Sequence, residues 1–193
     1  MRKENIFALF FALFALCLSS CSEDDGGKDE FGNWQERNEA YFKRVYDRAR
    51  NSGDAKWKAI RSWSLQEAAA TAADDYVVAE VLTEGTGKDS PLFTDKVKVH
   101  YRGNLMPTES YPDGLQFDSS WFGEYNLQTM MPVEMTVGNV VNGFATALMQ
   151  MHAGDRWRVY IPAALAYGGD KDNGAILPFS TLVFDVTLVS IGD

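Results

Sequence analysis

Val97-Lys98-Val99-His100-Tyr101-Arg102-Gly103 decides how the rest of the chain is read. Val97, Val99 and Tyr101 alternate with Lys98, His100 and Arg102, a period of two that marks a strand with one face buried. His100 falls on the polar side of this alternation and reads as an exposed position. Upstream, Tyr76-Val77-Val78-Ala79-Glu80-Val81-Leu82 is strand-like and ends in the turn Gly85-Thr86-Gly87. Downstream, Pro112-Asp113-Gly114 signals a turn before Leu115-Gln116-Phe117. Val133, Met135 and Val137 alternate again. The period then changes: from Asn142 to Met151 the apolar residues Phe144, Ala147, Leu148 and Met151 recur at helical spacing, and Ala153-Gly154 closes the segment. Arg156 to Ile161 and Thr181 to Ile191 read as two further strands. Antiparallel strands with one short helix late in the chain and no internal repeat give an α+β domain over residues 76–193.

The chain ahead of this domain divides into three parts. Residues 1–20 have a short positive head (Arg2, Lys3), an apolar run from Ile6 to Leu18, and small residues before a cysteine in Leu18-Ser19-Ser20-Cys21. This is the layout of a secretory signal; an uncleaved anchor or a cut elsewhere are the other readings. Residues 21–32 are acidic and Gly-rich and read as a tether. Residues 33–75 read as a helical extension. Asn33 with Glu36 makes a capping box, Trp34, Tyr41, Val45 and Ala49 share a face flanked by Phe42 and Tyr46, and Asn51-Ser52-Gly53 ends the helix. That face packs either on the main domain or on a second copy, so the chain is a monomer or a dimer through this helix. Trp57, Ile60, Trp63 and Leu65 show no clean period, and Ser64 with Glu67 caps a short Ala-rich helix through Ala73.

Composition narrows the function. The 193 residues are 46% hydrophobic, enough for a core, and carry a net charge of −9 with no basic cluster, which excludes a nucleic-acid binder. The only cysteines are Cys17 and Cys21. If the signal is removed and Cys21 is modified, no thiol remains for a disulfide, a metal site or nucleophilic catalysis.

The motifs carry the reading further. Val97-Lys98-Val99-His100-Tyr101-Arg102-Gly103 resembles the V-x-V-H-Y-x-G strand of the FKBP family, and Phe117-Asp118-Ser119-Ser120 its F-D-S-S stretch. Val137-Gly138 and Val140-Val141-Asn142-Gly143-Phe144 resemble its entry into the central helix, followed by Met149-Gln150-Met151 and Gly154-Asp155-Arg156. Ala166-Tyr167-Gly168 matches its A-Y-G and Thr181-Leu182-Val183-Phe184-Asp185-Val186 its last strand. Any one of these is weak; all of them in order are specific. Leu18-Ser19-Ser20-Cys21 likewise resembles the bacterial lipobox, with Cys21 lipidated. Ser22-Glu23-Asp24-Asp25 resembles an acidic export signal of surface lipoproteins.

The resemblance implies an antiparallel sheet of about five strands wrapped around the short helix 142–151, with a pocket between them. It implies a peptidyl-prolyl cis-trans isomerase in which Tyr101, Asp118 and Tyr167 are catalytic and Phe117, Val140, Val141, Phe144, Ile176 and Phe184 hold the substrate. Taken singly, Tyr101 and Phe184 read as core, Asp118 as a turn residue and Tyr167 as loop packing; only the joint pattern makes them a site. No metal or cofactor is called for. The implied partners are proline-containing polypeptides and macrolide inhibitors, with membrane contact only through the lipid. The implied location is the outer membrane, facing the periplasm or the surface. The alternative is a weakly catalytic binding module or chaperone on the cell envelope. The chain departs from the family where Phe144 takes the place of the usual tryptophan and where Val133 and Met135 make the rim less aromatic. Trp121, Phe122, Tyr125, Met130 and Met131, in a longer connection, are expected near the pocket edge.

Overall fold

The computed structural model describes residues 29–170 and 174–192. The signal, most of the tether and Cys21 lie outside the described residues. Helix α1 spans Trp34–Asn51; strands β1 to β5 span Trp57–Arg61, Tyr76–Thr83, Lys96–Leu105, Gln116–Ser119 and Val133–Thr136. Helix α2 spans Asn142–Leu148, and β6 and β7 span Arg156–Ile161 and Leu182–Ile191. The strands form one antiparallel sheet ordered β1-β2-β6-β7-β3-β4, with β5 also paired to β3. No helix among the described residues is long and apolar enough to cross a membrane.

The alternation read from the sequence places one set of side chains under α2. Val77 and Ala79 of β2, Trp157, Val159 and Ile161 of β6, Val97 and Val99 of β3, and Leu182, Val186 and Leu188 of β7 are buried there with Phe144, Ala145, Ala147 and Leu148 of α2. Burial of such side chains contributes about 1.5–3 kcal/mol each and is the main source of stability in a thiol-poor chain. The register joins the ends of the matched motifs, since β3 runs against β7 with Tyr101 opposite Val186 and Gly103 opposite Phe184.

The other face of the sheet is covered by α1. Phe42, Trp57, Val78 and Tyr160 form a second buried cluster, with Tyr41, Val45, Tyr46 and Ala49 packed against it. Trp57 stacks on Tyr160 at 6.0 Å, and the Arg48 guanidinium lies 4.1 Å over the Trp57 ring. The helix face therefore packs on its own domain. Phe31–Asp193 forms one compact unit.

Several expectations are corrected. The expected antiparallel sheet of about five strands has seven, and one of the additional strands is Trp57–Arg61, which pairs with β2 rather than belonging to a helical extension. Five residues at a sheet edge, with both faces partly covered, leave no amphipathic period to read. Where a capped helix is expected over Ser64–Ala73, residues 64–75 hold two short 3₁₀ turns, Glu67–Ala69 and Ala73–Asp75. Asn33 makes no capping box: it sits in the left-handed region at φ 50° without a side-chain cap bond, and its carbonyl accepts from Arg37 N–H. Asparagine tolerates that conformation better than most residues.

His100 is buried, at 2% exposure, not exposed. It lies opposite Thr187 of β7, whose hydroxyl is 2.8 Å from the Tyr125 hydroxyl. Trp121 and Tyr125 pack edge to face at 5.5 Å, Arg102 lies 4.7 Å over Trp121, and Arg156 lies 3.7 Å over Tyr125. The 121–131 connection thus folds over the outer face of β3 and β7. Burial lowers the His100 pKa from 6.5. A folded pKa below the unfolded one means that the unfolded chain binds the proton first. Stability from this group is then full above about pH 6.5 and is lost as pH falls through it. Urea midpoints at about pH 7.5 and 5.5 should show a drop that is smaller in His100→Gln; an equal drop in both proteins would contradict this.

Candidate active site

The pocket opens between α2 and the inner face of the sheet, with a volume of about 470 Å³. Distant segments meet there. β3 brings Tyr101, β4 brings Phe117 and Asp118, and β5 brings Met135. The turn into α2 brings Asn139, Val140 and Val141, and α2 brings Phe144. The segment after β6 brings Tyr167, and β7 brings Phe184.

The apolar wall is aromatic. Phe144 and Phe184 meet edge to face at 4.8 Å, Phe117 and Phe184 at 5.5 Å, and Tyr101 stands 6.3 Å from both Phe144 and Phe184. Edge-to-face rings hold one another in place and add about 0.5–1.5 kcal/mol per pair beyond area burial. Gly103 makes this wall possible: a Cβ there would stand 2.5 Å from the Phe117 ring and 2.8 Å from the Phe184 ring.

Polar groups line the rim. The Tyr101 hydroxyl donates to Asp118 Oδ2 at 2.7 Å, and Asp118 Oδ1 accepts from the Ser119 N–H at 2.8 Å. Burial, then the hydrogen bond to Asp118, pushes the Tyr101 phenol up to about 12. Ser120 fixes the strand beneath: Tyr101 N–H donates to its hydroxyl at 2.9 Å, and Ser120 N–H donates back to Tyr101 O at 2.8 Å. Tyr167 is 41% exposed and lines the pocket. Val141 is the N-cap residue of α2, and its N–H precedes the intrahelical bonding pattern. The result is a preformed apolar slot with a few polar groups at its edge, suited to a small ring flanked by amides. Among the described residues no group of three or more His, Cys, Asp or Glu side chains is placed to hold a metal.

Of the sequence-derived site residues, Tyr101, Phe117, Asp118, Val140, Val141, Phe144, Tyr167 and Phe184 are brought together. Ile176 is not among the lining residues; it is 7% exposed and belongs to the core cluster behind the wall. Met135, expected at the rim, lines the pocket, and so does Asn139, which is not among the sequence-derived site residues. Met135 shares the alternation of Val133, so the strand period places it on the core face; Asn139 carries no periodic signal. None of residues 121–131, expected near the pocket edge, is among the lining residues, and Trp121 packs under Arg102 on the far face.

A family model described as FKBP-type peptidyl-prolyl cis-trans isomerase matches residues 87–189. The macrophage infectivity potentiator of Trypanosoma cruzi is 34% identical over 198 residues, covering 100% of this chain and 88% of that protein. The FKBP-type 22 kDa peptidyl-prolyl cis-trans isomerase of Escherichia coli K12 is 40% identical over 111 residues, covering 58% of this chain; this chain spans about half of that relative, 48%. Among solved structures, FkpA from Escherichia coli matches with a TM-score of 0.57 at 27% identity, covering 82% of this chain and 61% of that one.

Proposed function

The chain belongs to the FKBP-type peptidyl-prolyl cis-trans isomerase family, and we propose that its aromatic pocket turns X-Pro bonds of exported polypeptides without covalent chemistry. The carrying observation is the edge-to-face wall of Tyr101, Phe144 and Phe184 beside the Tyr101–Asp118 hydrogen bond.

The obstacle to isomerisation is the barrier of about 18–20 kcal/mol set by amide resonance, while the two isomers before proline differ by only about 0.5–1 kcal/mol. A site lowers that barrier by fitting the twisted amide better than either planar form. Here the proline ring enters against Phe144 and Phe184, with Val140 and Val141 at its side. Excluding water from the carbonyl disfavours the charge-separated planar amide. The Val141 N–H and the Tyr167 hydroxyl donate to substrate carbonyls, and Asp118 holds the Tyr101 ring as a side wall. Phe117 backs that wall. A macrolide inhibitor occupies the same slot. Ile176 acts from behind the lining by supporting it.

The layout of residues 1–25 supports export and lipidation at Cys21, which places the domain on the cell envelope as an outer-membrane lipoprotein. With α1 spent on its own sheet, the helix face is not open to a second copy, which supports a monomer. The test is isomerisation of short X-Pro peptides by the full chain and by Tyr167→Phe. The wild type should accelerate the reaction. Loss of one neutral hydrogen bond, about 0.5–1.5 kcal/mol, predicts a two- to tenfold lower kcat/KM in the variant, with an unchanged melting temperature because Tyr167 is an exposed residue. Folded wild-type protein that accelerates no peptide would sink the reading and favour a binding module.

A further inference from the structure

We propose that Trp34 and Asn38 of α1 are positioning residues of the isomerase pocket, clamping from outside the matched domain the segments that carry Tyr167 and Phe184. The inference rests on the isomerase reading above.

The clamp is a short chain of hydrogen bonds between parts of the sequence far apart. The Trp34 Nε1–H donates to Ser180 Oγ at 2.9 Å, and that hydroxyl donates to Leu177 O at 2.6 Å. Asn38 Oδ1 accepts from the Thr181 N–H at 2.7 Å, and Asn38 O accepts from Thr181 Oγ1 at 3.3 Å. Asn38 Nδ2 donates to Trp34 O at 2.7 Å, tying the two residues together. Asn38, Ser180 and Thr181 are all buried.

The clamped pair sits between two pocket residues. Phe184 follows Thr181 by three positions, at the start of β7. On the other side, Phe179 N–H donates to Gly168 O at 2.8 Å, and the Phe179 ring lies where a Cβ on Gly169 would come within 2.4 Å. Gly168 follows Tyr167 directly. Phe179 also holds a left-handed backbone at φ 60°, which is costly for a bulky residue and persists only where the surroundings fix it. The bonds to Ser180 and Thr181, next in sequence, supply that fixing.

A purely structural helix would not need this chemistry. Burying an amide costs more than burying a leucine unless its hydrogen bonds are made, and Asn38 makes them to the pocket segment. The stripe Trp34, Asn38, Phe42 runs at i, i+4, i+8, so one helix face serves both packing and clamp. The family model begins at residue 87, so the clamp comes from the extension ahead of the matched domain.

The test uses the full chain, X-Pro peptides and amide hydrogen exchange. Trp34→Phe keeps the ring and removes the donor; Ser180→Ala removes the same bond from the other side; Asn38→Leu replaces the amide with an apolar group. Each should lower kcat/KM about three- to tenfold, chiefly through KM, and speed exchange at Phe179 and Thr181. The Trp34→Phe/Ser180→Ala double variant should be no worse than Ser180→Ala alone. Tyr46→Leu, on the same helix as Trp34 and Asn38, is the control: the Tyr46 ring packs 5.4 Å from Tyr76 of β2, so the variant should lower the melting temperature while kcat/KM stays within about twofold. An active wild type with Trp34→Phe and Asn38→Leu equally active, or a Tyr46→Leu loss as large as theirs, would overturn the clamp. An inactive wild type would instead fail the isomerase reading. In that case unchanged exchange at Phe179 in Trp34→Phe would overturn the clamp on its own, and faster exchange would uphold its physical basis.

Discussion

Phe144→Ala should destabilise the protein by about 3–5 kcal/mol, the usual cost of removing a buried phenylalanine, and abolish peptide isomerisation. Phe144 is 4% exposed and belongs to the core cluster while also lining the pocket. Its ring contacts Phe184 at 4.8 Å and faces Tyr101 at 6.3 Å, so truncation opens a void that neither neighbour can fill without leaving its own packing. A loss of this size approaches the whole stability of a small domain, so activity alone could vanish through unfolding. Phe144→Leu separates the two effects. It keeps most of the buried volume and should cost under about 1.5 kcal/mol, but it removes the edge-to-face contacts on which the proline slot depends, worth up to about a tenfold change in rate. Urea midpoints and peptide kinetics on both variants check this. A folded Phe144→Leu with wild-type kcat/KM would show that the aromatic wall is packing and not catalytic machinery.

What could be read without coordinates follows from where the physical signal is local. Arg156–Ile161 is a strand with the expected limits, and Lys96–Leu105 extends the expected one at both ends, because each has one dry face and hence a clean period of two. Trp57–Arg61 has no such face. Trp57 is buried under Arg48 and Tyr160 on one side, while Lys58 reaches over the Trp157 ring, 4.6 Å away, on the other. The burial of His100 is hidden for a related reason: alternation tells which residues share a face, but not that a later connection bearing Trp121 and Tyr125 covers the second face. Asn38 gives no such signal, because it is the polar middle member of an otherwise apolar stripe.

The pocket is a different case. Its residues come from β3, β4, β5, the entry to α2, α2 itself, the segment after β6, and β7. No periodicity could join Tyr101 to Phe184 across 83 positions of chain; only the order of the family's motifs does. That same dependence explains the misplacement of Ile176, whose neighbour Leu177 is tied to Ser180 by a hydrogen bond and whose own side chain turns into the core. It also explains why Asn139 carries no signal, since it falls between the matched stretches Val137-Gly138 and Val140–Phe144.

Asp118→Ala should lower kcat/KM by about tenfold or more, the range for a hydrogen bond to a charged group, while the protein stays folded. Asp118 is exposed, and its carboxylate holds the Tyr101 hydroxyl at 2.7 Å and the Ser119 N–H at 2.8 Å. Without it the phenol loses its acceptor and the side wall its angle. Tyr101→Phe removes the same bond from the other end, so the double variant should lose little more than Asp118→Ala alone; additive losses would mean that the two side chains act separately. The pH dependence gives an independent check. Tyr101 titrates at about 12, raised first by burial and then by Asp118, so it remains protonated throughout the working range. Because its folded pKa lies above the unfolded value of 10.0, its contribution to stability is present below that pH and is lost only as pH rises toward 12. Binding and twisting a neutral amide requires no proton transfer, so kcat/KM should be flat between about pH 6 and 9. A bell-shaped profile centred near neutrality would reveal a titrating acid or base at work. It would overturn the noncovalent mechanism even if both variants behaved as expected.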